Sequence, residues 1–174
     1  FWIPPVQGSK SDPNRAARQT ALLDRLQSIP GMRNAAAINV LPLDGQNNFP
    51  CQRENHPEQS IGGMEIRIVT PGYFEAVSMP VVRGRRFDST DSALATPTVI
   101  INEALARVWW NGDGNPIGDR IALGVFKGQR YIDEKTREVV GIVADSKTLR
   151  ITETARPTIF IPVAQAGWYS GGMS

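Results

Sequence analysis

Val69-Thr70-Pro71-Gly72-Tyr73-Phe74-Glu75-Ala76-Val77-Ser78-Met79-Pro80 is the stretch whose reading decides the fold. It leads from a strand through a turn into a short helix, and out towards a second strand. Just upstream, Glu65-Ile66-Arg67-Ile68-Val69 alternates charged and apolar side chains, the period of a half-buried strand. Thr70 stands where a helix cap is wanted, and the helix is predicted over residues 71–78 with Tyr73, Phe74 and Val77 inward. Residues 80–87 form the next strand, ending in the basic cluster Arg83, Arg85 and Arg86.

Towards the C-terminus the pattern continues. After a polar, acidic connection over 88–96, the β-branched run at 97–101 reads as a buried strand. Asn102 is placed to cap a helix over 103–110, with Leu105, Val108 and Trp109 roughly on one side. A Gly/Asn/Asp turn over 111–116 precedes a strand at 119–123, and Pro116 and Gly118 shape that turn. Residues 125–137 read as a hairpin or loop, 138–144 as an apolar strand, and 158–163 as the last strand. The charged connection at 145–156 has room for a turn of helix. Gly141 sits inside its strand, where only a missing side chain lets another backbone come close. After Ala164 the chain is Gly/Ser-rich and reads as a fraying end.

Towards the N-terminus, Asp12-Pro13 announces a helix over 14–28, with Leu22, Leu26 and Ile29 in register and Pro30-Gly31 stopping it. An apolar strand is expected over 35–41, and residues 1–6 are a weak strand candidate because of Pro4 and Pro5. Residues 42–63 are polar, without a period, and read as a long loop. Loops of that length in a compact domain are often functional.

Composition excludes several functions. Nineteen Lys and Arg against seventeen Asp and Glu leave +2, too little for a nucleic-acid binder. One cysteine, Cys51, excludes an internal disulfide and a cysteine-rich metal site. No run of about 18 apolar residues crosses a membrane. The start Phe1-Trp2-Ile3-Pro4-Pro5 has no Met and no signal pattern, as expected of an excised piece.

Chemistry is thinly represented. His56 is the sole histidine and lies five positions from Cys51, so any Cys–His pair or Ser-His-Asp triad has to use it. A zinc site needs three or four ligands, and the ordinary reading is two loop residues. Neither a Gly-x-Ser-x-Gly elbow nor a phosphate-binding Gly-Lys-Ser/Thr loop is present. Asp88 with Asp91, and Asp133 with Glu134, read as solvated neighbours. Arg83, Arg85 and Arg86 read as a solvated strand edge, the rival being contact with an acidic partner or lipid headgroup. Trp109 and Trp110 point about 100° apart on a helix, so Trp110 is the candidate for a rim or partner contact against the plainer reading that both pack inside. Catalytic, cofactor and metal residues are therefore none. The partner-contact candidates are Trp110, Arg83, Arg85 and Arg86.

One resemblance gathers these pieces. Residues 69–80, Arg83-Gly84-Arg85-Arg86-Phe87, residues 99–106, Asn115-Pro116-Ile117-Gly118-Asp119-Arg120-Ile121, residues 139–145 and residues 156–162 occur in an order that resembles the periplasmic core domain of MacB-like, or FtsX-like, ABC transporter permeases. The match spans about residues 12–165. Each motif alone is weak, and the ordered set is specific.

The resemblance implies an α+β fold of two lobes. One is a partial porter-like βαβ unit over 1–43. The other is an inserted Sabre-like mixed α/β lobe with a largely antiparallel sheet over 44–165, with a flexible end over 166–174. The family continues with a second βαβ unit, so the porter lobe is expected to be half-built here. The implied role is an extracytoplasmic, non-catalytic domain of an inner-membrane permease. It couples cytoplasmic ATP hydrolysis to export or extraction of a substrate outside the membrane. ATP belongs to the associated ATPase and no cofactor to this chain. The implied partners are its own transmembrane helices, a cytoplasmic ABC ATPase fused or separate, a second permease copy, and in some systems a periplasmic adaptor, with no nucleic acid. The alternatives are a small α+β ligand-binding or hydrolytic domain using the 42–63 loop, and a stand-alone interaction module.

Overall fold

The structure, a computed structural model, describes residues 21–23, 25–26, 28–31, 35–39, 48–111, 114–132, 134–145 and 155–167. Helix is recorded at residues 21–23 and 25–26, within the segment expected to be helical. Ser28 is a turn, and residues 14–20, 24 and 27 of that segment, the strand candidate at 1–6, most of the 145–156 connection and the tail beyond 167 lie outside the described residues.

The polar region read as a loop is the first correction. It holds β1 (Asn48–Arg53) and the start of β2 (His56–Val69), which pair antiparallel from Asn48↔Glu65 to Arg53↔His56. Asn55 makes the reversal by taking the left-handed conformation at φ 64, which asparagine tolerates. The strand period was masked because β1 and the first half of β2 carry polar side chains outward, with Pro50, Pro57 and Gly62-Gly63 inside the strands. Their inward positions, Cys51 and Met64, are buried at 0% and 1% exposure.

After β2 comes α1 (Tyr73–Ala76), a single turn shorter than expected. Its cap is Gly72 at φ 83 and not Thr70, whose hydroxyl is engaged with Ala37. Tyr73 and Phe74 face inward as expected, but Val77 lies past the helix end and is exposed. β3 (Val81–Gly84), β4 (Thr98–Asn102) and α2 (Glu103–Trp110) follow. Asn102 does cap α2, its side-chain oxygen accepting from the Leu105 amide at 3.1 Å. Leu105, Trp109 and Trp110 are buried, whereas Val108 faces solvent, because the inward stripe runs through 105 and 109.

The chain is completed by β5 (Arg120–Leu123), the small hairpin of β6 (Val125–Phe126) and β7 (Gln129–Arg130), β8 (Arg137–Val143) and β9 (Thr158–Pro162). A 3-10 turn, Val163–Gln165, follows β9. Gln165 and Ala166 are buried, so the chain is still packed at the point where fraying was expected to begin.

Among the described residues, seven strands form one sheet in the order β3-β8-β4-β9-β2-β1-β5, and β5 also pairs with β8. The sheet therefore closes on itself as a ring of six strands, with β3 attached as a spur. Closure removes most open edges. Pairing is parallel at β2–β9 and β4–β8 and antiparallel elsewhere, the mixed, sheet-dominated arrangement expected. One buried cluster fills the ring and packs α2, through Ile66, Ile101, Leu105, Trp109, Ile121 and Ile159. A second lies on the outer face, where Tyr73, Phe74, Phe87 and Phe160 meet. Each fully buried isoleucine contributes about 2 kcal/mol relative to exposure.

β3 joins β8 through two glycines. A Cβ on Gly141 would stand 2.2 Å from the Arg85 carbonyl oxygen, and one on Gly84 2.3 Å from that of Val140. No side chain fits at either place. The expected strand over 35–41 is only a single bridge, Ile38↔Val69. Residues 40–41 of that expectation lie outside the described residues.

Candidate functional site

The residues with chemical potential are kept apart. Cys51 lies in the ring interior at 0% exposure, and burial pushes its thiol up, away from the reactive thiolate. His56 is at the hairpin turn, its Nδ1 2.9 Å from the Glu58 carboxylate. Cys51 pairs with Ile61 and Leu123, His56 with Arg53, so the two are not brought together. Among the described residues, no group of three His, Cys, Asp or Glu is placed to hold a metal ion.

The partner-contact candidates divide. Trp110 is 6% exposed, donates its indole N–H to Asp119 at 2.9 Å and carries the Arg53 guanidinium 5.1 Å above its ring. Arg53 also donates to Asp119 at 2.6 Å. Burial would raise the Asp119 carboxyl, but bonds from Trp110, the Arg120 amide and Arg53 outweigh it and hold the carboxyl below its ordinary value. Trp110 is thus an internal lock between β1, α2 and β5. Arg85 forks onto Asp91 at 2.7 and 2.9 Å, and Arg86 reaches Glu75 at 2.9 Å. Arg83 is exposed on β3.

Asp91, read from sequence as one of two solvated carboxylates, is buried instead, at 3% exposure. It opens a polar network that runs through Thr98 and Gln165 to Arg137. Its carboxylate accepts from Arg85, from the Asp88 amide at 3.0 Å and from the Thr98 hydroxyl at 2.9 Å. Burial acts to raise this carboxyl as well, and those bonds together keep it below the usual range. The Thr98 amide donates to the Gln165 side-chain oxygen at 2.8 Å. Gln165 returns its amide hydrogens to the Ser92 and Thr96 carbonyls at 3.2 and 3.1 Å. Arg137, 1% exposed, donates to both Gln165 oxygens at 3.3 and 2.9 Å and to Glu134 at 2.5 Å. Burial lowers the Arg137 pKa and Glu134 opposes the shift. Arginine still carries its charge throughout.

The place of this network matters more than its chemistry. Val69 ends β2, Pro162 ends β9, and the two are register partners. Ile38, on the incoming chain, bridges to the same Val69. Thr98 and Arg137 begin the two strands on the far side of β9. Entry, exit and buried network therefore share one end of the ring. Among the described residues, no acid–base pair or nucleophile is assembled there. The arrangement ties loop 91–98 and the outgoing chain to the sheet.

Comparison with known proteins agrees with this architecture. The family model described as the MacB-like periplasmic core domain matches residues 2–173. The periplasmic region of MacB from Actinobacillus actinomycetemcomitans is similar at TM-score 0.60 and 14% identity, over 89% of this chain and 62% of that one. The extracellular domain of the noncanonic ABC-type transporter YknZ from Gram-positive bacteria gives 0.53 and 16%, over 81% and 60%. A domain of a putative permease protein from Porphyromonas gingivalis gives 0.55 and 18%, over 85% and 57%. This chain spans less than two thirds of each of these structures. A search of curated proteins gives no match.

Proposed function

Because this chain belongs to the family of MacB-like periplasmic core domains, we propose that it serves an ABC transporter permease as a rigid extracytoplasmic lobe mounted on a longer membrane-embedded chain. Among the described residues no helix is long and apolar enough to cross a membrane. The membrane anchor in this reading is supplied by the permease's own helices.

The finer reading is mechanical and non-catalytic. A cytoplasmic ABC ATPase hydrolyses ATP, and the permease, working with a second copy of itself, carries the resulting motion to this lobe. The lobe in turn acts on a substrate outside the inner membrane, for export or extraction, with a periplasmic adaptor where one is used. The observation that carries this reading is the meeting of entry and exit at Val69. While the incoming chain is seated on β2, a force arriving through either connection enters neighbouring strands of a closed, close-packed ring. Such a body transmits strain instead of absorbing it. The Arg137–Gln165 contacts hold the outgoing chain at the same place.

Location can be tested with the full-length permease carrying Leu94→Cys. Leu94 is 99% exposed, and the native Cys51 is 0% exposed and silent. A membrane-impermeant maleimide is expected to label position 94 in intact spheroplasts. Labelling that appears only after lysis overturns the reading.

A further inference from the structure

One edge of β2 has two successive occupants. β1 covers it from His56 to Glu65. At Val69 the incoming chain takes over, through the single antiparallel bridge to Ile38. Two backbone bonds flank that bridge: the Asn39 amide donates to the Ile68 carbonyl, and the Thr70 amide to the Ala37 carbonyl, both at 3.0 Å.

A ladder that went on in either direction would pair the Ala37 amide with the Thr70 carbonyl, and the Ile68 amide with the Asn39 carbonyl. Side-chain oxygens stand in their places. The Ala37 amide donates to Thr70 Oγ1 and the Ile68 amide to Asn39 Oδ1, both at 2.8 Å. The ladder is thus closed at both ends after one bridge, with the Ala37 and Ile68 amides satisfied by side chains. Ile38 anchors it apolarly, 4% exposed beside Val69, Tyr73, Phe74 and Phe160, with the partly buried Ala36 packed against the same cluster. The attached state also carries a cost. Among the described residues Asn39 Nδ2 is buried with no hydrogen-bond partner, a group that water would satisfy once the segment lifted.

We propose that residues 37–39 form a releasable latch, a joint at which the incoming chain lifts from the β2 edge and reseats while the ring stays folded. Openings of this kind are local, and need far less free energy than unfolding the ring. The latch stands on this geometry alone and does not depend on the transporter role.

The molecule supplies its own control. Cys51, 0% exposed in the ring interior, is expected to react with a thiol reagent only on global unfolding. Ile38→Cys places a second thiol in the latch. Position 38 is expected to react at least tenfold faster than Cys51, with a rate nearly independent of low denaturant, since little surface opens. Adding Thr70→Val should raise that rate severalfold. Equal rates at the two thiols, or a rate at position 38 that Thr70→Val leaves unchanged, overturn the proposal. Amide exchange of the unsubstituted protein makes the same comparison. The Ala37, Asn39, Ile68 and Thr70 amides should exchange at least tenfold faster than those of β4, which is flanked on both sides. Equal protection overturns the latch.

Discussion

Gly141 shows how much a single residue decides. Its neighbour is backbone, the Arg85 carbonyl, which cannot turn aside as a side chain can. Gly141→Ala is therefore expected to cost about 3 kcal/mol by overpacking and to free β3 from β8. A urea midpoint unchanged from the parent would contradict this. The role of Gly141 was legible in the sequence, as a glycine inside an apolar strand. Asp91 was not. Its partners Arg85 and Thr98 are near in sequence, but Gln165, which shares Thr98 with it, lies 67 positions from that residue. Nothing in a polar, acidic connection signals that one carboxylate of two turns inward.

The Asp91 carboxyl also sets a pH dependence. Its folded pKa lies below the ordinary value, so its contribution is fully present above the unfolded value of about 3.9. That contribution is lost as pH falls through the lower, folded pKa. Asp119 acts in the same direction. Stability measured by urea titration should fall below about pH 4, and Asp91→Asn should flatten that fall. A profile that Asp91→Asn leaves equally steep would exclude the carboxylate as a source.

At the scale of elements, legibility followed local chemistry. α2 and its cap were readable because Asn102 and the apolar stripe act within a few residues. The structure adds that Asn102 also accepts from the Thr158 amide at 2.9 Å and donates to the Arg156 carbonyl at 2.9 Å. One side chain thus joins β4, α2 and the start of β9. Asn102→Ala should cost about 2 kcal/mol or more, beyond the loss of a helix cap alone. A cost near 0.5 kcal/mol would mean that the two β9 contacts contribute nothing. The hairpin of β1 and β2 was illegible for the opposite reason. Its outward face is polar, its strands contain prolines and glycines, and its pairing with β5 joins residues about seventy apart. Short-range pattern cannot report such contacts. The turn between β6 and β7 was readable as a hairpin, and Lys127 and Gly128 take the left-handed conformation there, at φ 48 and 81.

At the scale of the whole molecule, closure of the sheet organises the rest. β5 and β3 share one edge of β8, which converts an open sheet into a ring with a spur. Motif order pointed to the family, but ring closure and the shared end for entry and exit emerge only in three dimensions. Those two features make the lobe suited to carry motion as one body. For the proposed transporter role, the most direct test uses the intact permease with the ATPase that the proposal requires, labelled through Leu94→Cys on both copies. The distance between the two labels is measured without nucleotide and with trapped ATP. A nucleotide-dependent shift of the whole distance distribution is predicted. A distribution identical in the two states would contradict a lobe moved by the ATPase cycle.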